Sequence, residues 1–458
     1  MPNYDAIIIG TGQAGPALAR RLVAANWNVA IIERKLFGGT CVNTGCTPTK
    51  TLVASAYTAH VVRRAAAYGV RVEGAVTVDM KAVKARKDAV VAPPRDGVER
   101  SLKTLEGCTV YEGHGRFVTE KKVAVNDSEL VADHIFINVG GRAAVPPIPG
   151  LDQVPYLTNS SMMDIDFLPA HLIILGGSYV GLEFAQVYRR FGSEVTVIEL
   201  APRLIPREDE EVSQAVADFL KEESIDVRVD SKVVGVEKQG NSIAVKVESA
   251  GQISLVVGTH VLVAIGRQPN TDDLGLDKAG IATDARGYIQ VDDHLRTKIP
   301  GIWAMGDCNG RGAFTHTSWN DFEIVAANLL DNDPRSVSDR ITAYALYTDP
   351  PLGRVGMTEA EVRKTGKPAL IATLAMENVS RARERGETKG FMKILVDRDS
   401  KQILGASFLG LAGDEVIHCV LDVMYAKAPY TGMQRAMHIH PTVSEFIPTM
   451  LGDLKPLQ

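Results

Sequence analysis

Four residues lie between Cys41 and Cys46 in the run Gly38-Gly39-Thr40-Cys41-Val42-Asn43-Thr44-Gly45-Cys46-Thr47-Pro48-Thr49-Lys50, and a helix-period segment follows through about Ala67. The spacing is not the C-x2-C of most zinc sites, and no second Cys/His pair lies nearby to complete four ligands. Two thiols at the mouth of a helix suit a redox-active dithiol. The helix N-terminus stabilises a thiolate, which is both the nucleophile and a good electron donor. On spacing alone a second reading stays open, a pair of small buried hydrophobes.

The elements that must position this pair come from an internal repeat. Residues 7–33, IIIGTGQAGPALARRLVAANWNVAIIE, align without a gap on residues 173–199, IILGGSYVGLEFAQVYRRFGSEVTVIE. Each copy reads as an aliphatic strand, a Gly-rich turn, a helix and a second aliphatic strand, the pattern of a βαβ unit with strands buried on both faces. In the first turn Gly10, Gly12 and Gly15 complete G-x-G-x-x-G. Glycine there permits the tight turn, the close approach of a pyrophosphate and helix-on-strand packing, while the helix N-terminus offers N–H groups to the phosphates. Glu33 closes the second strand, where a carboxylate accepts from a ribose diol, and Glu199 stands at the same offset in the second copy. There the turn is Gly176-Gly177-Ser178-Tyr179-Val180-Gly181, with Ser178 in place of the middle glycine. Glu199 favours NADH, because a carboxylate repels a 2′-phosphate, while Arg203 and Arg207 a few residues on keep NADPH open.

GGTCVNTGCTPTK is similar to the active-site signature of the flavin-dependent pyridine nucleotide–disulfide oxidoreductases, the family of glutathione reductase, dihydrolipoamide dehydrogenase and mercuric reductase. The resemblance covers essentially the full chain. It implies FAD at the first repeat, because the dithiol must touch the flavin, and NADH (or NADPH) at the second. Gly39 and Thr40 are then expected beside the flavin. Thr297 to Asp307 resembles the second FAD motif, whose Asp, here Asp307, binds the ribityl chain. His440-Pro441-Thr442-Val443-Ser444-Glu445 resembles the H-P-x-x-x-E motif, in which the His is the acid/base held by the Glu and reaches the dithiol of the other subunit. Imidazole titrates in the range such thiol chemistry needs, and a carboxylate on one ring nitrogen sets its tautomer. The resemblance further implies Lys50 near flavin N5, Glu183 as its ion-pair partner and Tyr179 as an aromatic lid over the flavin. Cys46 is then the flavin-contacting thiolate and Cys41 the exchanging thiol. His438 is read as structural, and Cys108, Cys308 and Cys419 as packing residues.

The implied reaction passes electrons from NAD(P)H through FAD to a Cys41–Cys46 disulfide, and on to a disulfide, a thiophilic metal ion or another small-molecule oxidant. Segments such as Phe314-Thr315-His316 and Ser380-Arg381-Ala382-Arg383 look closest to the mercuric-reductase-like branch. The C-terminal vicinal Cys pair of true mercuric reductase has no counterpart in Met450 to Gln458. Dihydrolipoamide dehydrogenase is one alternative, and a non-catalytic or redox-sensing flavoprotein another.

The expected fold is α/β: two Rossmann-like dinucleotide-binding domains and a C-terminal α+β dimerisation domain. Val139-Gly140-Gly141-Arg142 and Ala264-Ile265-Gly266-Arg267 resemble the points where this family's chain leaves one nucleotide domain for the next, with Gly140 and Gly266 beside the cofactors. The division is an FAD domain 1–146, an NAD(P) domain 147–267, a central segment 268–335 returning to the flavin and an interface domain 336–458, in which Phe391 to Val396 and Ile403 to Leu409 alternate as antiparallel strands. A length of 458 residues suits three or four cores, and 50 Lys+Arg against 55 Asp+Glu leave no basic surplus for nucleic acid or an anionic membrane. No apolar stretch is long enough for a membrane span and the N-terminus lacks a secretory pattern, so a cytoplasmic homodimer is expected, with no resident metal. Pro93-Pro94 should break the helical pattern of 79–104. The acidic run Glu208 to Glu211 and the basic run Arg381 to Arg385 read as solvated faces, the second with an alternative place at a substrate entrance.

Overall fold

The computed structural model describes residues 2–457. The strand Asn3–Ile9 is flanked in parallel by Val29–Glu33 and Ser128–Ile137, and the sheet grows outward to Cys108–Glu112 on one side and an antiparallel hairpin, Arg116–Thr119 and Lys122–Val125, on the other. Ala6 to Ile9 and Val29 to Ile32 are buried, as expected of strands covered on both faces. Ile302–Ala304 returns from late in the chain to pair in parallel with the second half of Ser128–Ile137.

The second repeat builds a five-stranded parallel sheet in the order Asp226–Arg228, Glu194–Ile198, His171–Leu175, His260–Val263, Tyr156–Leu157. The register of the two copies is the same. Ile7 lies opposite Ala30 and Ile135, and Ile173 lies opposite Thr196 and Val261. The expected crossing points between the sheets lie together, since Gly141–Ala143 and Arg267–Pro269 form their own antiparallel ladder. Beyond residue 340, a six-stranded antiparallel sheet includes Phe391–Asp397 paired with Ile403–Leu409 as expected, and the helix Gly413–Tyr425 packs on it. Among the described residues no helix is long and apolar enough to cross a membrane.

Two expectations are corrected. The first concerns Pro93-Pro94, which lie inside one continuous helix, Met80–Lys103, started by the Asp79 side chain accepting from Lys81 N and Ala82 N. Both prolines are exposed, and so are Ala89 and Val90 one turn earlier, so the carbonyls that lose their N–H partners meet water instead of an apolar core. The second concerns the acidic run. Glu208 and Asp209 are buried against the C-terminal sheet, where Asp209 takes Arg354 at 3.0 Å and Lys393 at 2.7 Å. Lys393 also pairs with Glu211 and, at 3.4 Å, Glu359. The basic run is surface, with Arg381 paired to Glu384 at 2.9 Å around a buried Ala382.

A second buried ion cluster bolts the helix Tyr179–Phe191 to the C-terminal part. Arg190 reaches Glu223 at 2.6 Å and Asp349 at 2.8 Å, and Gln186 both donates to Asp349 O and accepts from Asp349 N. Removing one partner of a buried pair strands the others without compensation. Arg190→Ala should therefore lower stability by about 3–5 kcal/mol, measured by denaturant unfolding of the purified protein.

Candidate functional site

The dithiol sits on two helices joined by a two-residue link. Cys41 lies within the single turn Gly39–Asn43, and Cys46 is the first residue of the helix Cys46–Arg63. The unpaired N–H groups of that first turn favour negative charge on the Cys46 sulfur. The neighbouring Cys41 thiol, acting as a hydrogen-bond donor, is the main reason the Cys46 thiol is lowered to about 6. Thr315, whose hydroxyl lies 3.2 Å from Cys46 Sγ, and the Lys50 ammonium act in the same direction, against burial and the Glu183 carboxylate. The same contact and burial push the Cys41 thiol well above its ordinary range. One proton thus stays on Cys41 while Cys46 carries the charge.

Lys50, one helical turn after Cys46, is paired to Glu183 at 2.7 Å, and its Nζ stands 4.5 Å from the Tyr347 ring centroid. Glu183 is buried, and it also accepts from Tyr347 N at 3.1 Å.

Both dinucleotide turns are built alike. Gly10 at φ +105° and Gly176 at φ +109° each lie so close to a carbonyl at the end of the third parallel strand, Asn138 O and Ala264 O, that a side chain would collide with it. Glu33 accepts from Thr11 N at 3.0 Å and Lys35 N at 2.9 Å, and Glu199 from Gly177 N at 2.6 Å and Ala201 N at 2.8 Å. The carboxylates are thereby aimed along the strand ends, where a ribose diol would lie. Ser178 has φ −109° and ψ −175°, an extended conformation open to any residue, so serine fits the turn at the middle position. Gly15 and Gly181 pack on the carbonyls of Gly10 and Gly176.

The first turn and the dithiol are in contact. A Cβ on Gly39 would stand 2.9 Å from Gly12 Cα, and Gly38 N donates to Thr11 Oγ1. Thr40 is exposed beside them, and Gly140, at φ +63°, and Gly266, at φ +137°, face open space. Asp307 is pushed up by burial, with Arg267 Nε 3.5 Å away drawing it down. A cradle that no Cβ could enter, two clamped carboxylates and a carboxyl group with a single distant cation fit a dinucleotide with a flavin end at Asp307 and the dithiol.

Tyr179 follows the second turn directly, and its hydroxyl donates to Glu208 at 2.8 Å. Among the described residues His440 accompanies none of these groups. Its Nδ1 lies 3.0 Å from Glu445 Oε2, and Thr442 N donates to the other oxygen of the same carboxylate. The imidazole is 73% exposed, next to Ile439 at 79% and near Met437 at 98%, so the pair stands on an apolar, uncovered surface. His438 braces the loop through Ser444 O. Two residues escaped the sequence reading. Thr315 lay in a segment noticed only as a branch marker, and Asn138, whose Nδ2 donates to Gly12 O at 3.2 Å, has no motif of its own. Only its place after the third strand could have signalled it.

Comparison with known proteins gives the same picture. A family model described as pyridine nucleotide-disulphide oxidoreductase matches residues 4–321, and the dimerisation domain of that family matches residues 342–451. A probable pyridine nucleotide-disulfide oxidoreductase, RclA of Escherichia coli, is 37% identical over 99% of this chain and 100% of its own length. A mercuric reductase of Streptomyces lividans is 33% identical (97% and 94%), and a dihydrolipoyl dehydrogenase of Thermus scotoductus 32% identical (97% and 96%). Among solved structures, the HOCl-induced flavoprotein disulfide reductase RclA from E. coli superposes with a TM-score of 0.90 at 36% identity, covering 99% of this chain and 100% of that one, and its Cu(II) complex also gives 0.90.

Because a lowered thiol is charged above its pKa and protonated below it, thiolate absorbance of the reduced protein should appear as pH rises through about 6. Cys46→Ser should abolish that step, and Thr315→Val should move it to higher pH by removing a donor.

Proposed function

Since the chain belongs to the pyridine nucleotide-disulphide oxidoreductase family, and is an FAD-dependent enzyme carrying electrons from NAD(P)H to a disulfide, we propose that this disulfide is Cys41–Cys46, with Cys46 the flavin-facing thiolate and Cys41 the thiol that exchanges with the acceptor. The observation that carries the reading is the stabilised charge on Cys46, at a helix N-terminus, with donors from Cys41 and Thr315 and the ammonium of Lys50 around it. Bound FAD supplies a two-electron carrier between the nicotinamide and the dithiol.

The chain's own residues do the rest. Gly10, Gly12, Gly15 and Glu33 seat the FAD pyrophosphate and ribose, with Gly39, Thr40, Gly140 and Asp307 around the remainder. Gly176, Gly177, Ser178, Gly181, Glu199 and Gly266 seat the nicotinamide dinucleotide, and Tyr179 covers its place until it arrives. Glu183 fixes Lys50 so that its charge stays beside Cys46 rather than in solvent. The dinucleotide is NADH, because Glu199 occupies the position a 2′-phosphate would need and Arg203 is engaged with Pro206 O and Glu208 O. The same reading includes the four-part division at 146, 267 and 335, supported by the return of Ile302–Ala304 to the first sheet.

The dimerisation-domain match supports a homodimer. Within it, His440 takes and returns the proton of the partner's dithiol while Glu445 holds its tautomer. The electron acceptor is a small disulfide or a thiophilic metal ion. The retained His440–Glu445 pair favours thiol–disulfide exchange and keeps dihydrolipoamide as the second reading, while the Cu(II) complex of the E. coli neighbour brings that ion onto the list of substrates to try. A disulfide that must be reduced in each cycle suits a compartment where thiols are kept reduced, which favours the cytoplasm.

Anaerobic titration with NADH should produce a long-wavelength absorbance in the wild type that is lost in Cys46→Ser; flavin bleaching in the wild type without that band would remove the dithiol from the reaction. Steady-state rates with dihydrolipoamide, oxidised glutathione, Hg(II), Cu(II) and quinones, each with NADH and NADPH, then identify the acceptor and should show preference for NADH. For the shared site, a heterodimer of His440→Ala and Cys41→Ser subunits should regain one working centre, about half the wild-type rate on a half-sites count. A purified heterodimer as inactive as its parents would return His440 to its own subunit.

A further inference from the structure

Glu208 carries its carboxylate into the closed space between the second nucleotide-binding sheet and the C-terminal sheet, where it is 2% exposed. One oxygen does all the hydrogen bonding. Oε1 accepts from Tyr179 at 2.8 Å and from Tyr344 at 2.6 Å. Among the described residues Oε2 has no hydrogen-bond partner and faces Arg354 Nη1 at 3.7 Å, and Arg354, equally buried, leaves its own Nε and Nη2 without partners there. Buried charge with so few partners depends strongly on the ones it has. The two phenols therefore share a single oxygen of a carboxylate that has little else, and each weakens the hold of the other on it.

They are not held alike. Tyr344 lies on the strand Ala343–Leu346 and stacks on Phe314 at 5.5 Å, which stacks in turn on His316 at 5.3 Å. Tyr179 opens the helix after the second dinucleotide turn and meets Tyr344 edge to face at 5.6 Å. Burial pushes both phenols up, so each remains a donor throughout the working pH range.

We propose that Glu208 is a positioning residue for the nicotinamide dinucleotide: it latches Tyr179 beside the second turn, and the dinucleotide takes its seat by breaking the Tyr179–Glu208 hydrogen bond while Tyr344 and Arg354 continue to satisfy the carboxylate. This rests on the reading of Tyr179 as the lid. Observed affinity falls in proportion to the fraction of molecules that are open, so the strength of the latch is read directly in dinucleotide binding. The two phenols must act in opposite senses. Removing the Tyr179 hydroxyl frees the lid. Removing the Tyr344 hydroxyl leaves Tyr179 as the only phenol on Oε1 and tightens the latch.

The test is the Kd of NAD+ for the oxidised holoenzyme, measured by titration calorimetry, with thermal melting to establish that each variant is folded. Tyr179→Phe and Glu208→Gln should each tighten NAD+ by about tenfold or more, the order of magnitude of one hydrogen bond to a charged group. Tyr344→Phe should weaken it. The double variant Tyr179→Phe with Glu208→Gln should bind no tighter than Tyr179→Phe alone, because the two act through one bond. If Glu208→Gln does not fold, the opposed signs of Tyr179→Phe and Tyr344→Phe decide the matter. Equal signs, or an additive double variant, overturn the latch. Tyr179→Ala separates the two ideas. No change in Kd there removes the lid and the latch together, whereas a change there with none in Tyr179→Phe leaves the lid and removes the latch.

Discussion

The ion pair between Lys50 and Glu183 is the contact at which the parts of this molecule meet. Lys50 rides on the helix that begins with Cys46, Glu183 on the helix that follows the second dinucleotide turn, and the backbone N–H of Tyr347, from the C-terminal part, donates to the same carboxylate. Glu183 is buried, so its charge must be answered by groups that are fixed in place. Answering it fixes the dithiol helix relative to the nicotinamide unit, and it leaves the ammonium where it also favours a thiolate on Cys46. Stability and chemistry draw on the same pair.

Around that contact the joints between the parts carry buried charge as well as an apolar cluster that runs through Leu52, Leu182, Leu346, Leu352 and Leu409. Arg190 with Glu223 and Asp349, and Arg354 and Lys393 with Asp209, are buried clusters that cross from the second repeat to the C-terminal sheet. Apolar faces would hold these parts together at many relative settings, whereas hydrogen-bonded charges at such distances hold at one. A site assembled from a first turn, a dithiol helix, a second turn and a returning strand needs that single setting.

How much of this was legible follows from the kind of signal each feature leaves. The repeat shows in sequence because local backbone geometry demands it. Gly10 and Gly176 have positive φ and press on a carbonyl, and the two copies keep one strand register. The dithiol shows because its spacing is local. Glu208 and Asp209 gave the opposite impression, since an acidic run reads as solvated when its cationic partners, Arg354 and Lys393, lie far along the chain. Pro93-Pro94 misled for a related reason. What matters is whether the carbonyls one turn earlier reach water, and that depends on which face of the helix is covered. Thr315 was hidden because a hydroxyl beside a sulfur has no sequence pattern at all.

Two thiols beside one another face a choice that the surroundings must make for them. If both ionised, like charges would oppose each other, and if neither did, no nucleophile would exist near neutral pH. The balance falls to Cys46, against its burial and the Glu183 carboxylate. The helix N-terminus, Thr315 and Lys50 all serve Cys46, while Cys41 keeps the proton and gives its hydrogen bond to its neighbour. The pair therefore acts as a single acid with its charge assigned to one sulfur. A proton kept on Cys41 must leave before that sulfur can attack, and His440, the acid/base of the proposed reaction, stands outward on an apolar surface with Glu445 behind it. On the proposed reading, the half of the chemistry that belongs to Cys41 is completed by a second copy of the chain, and the dimerisation domain is then part of the active site.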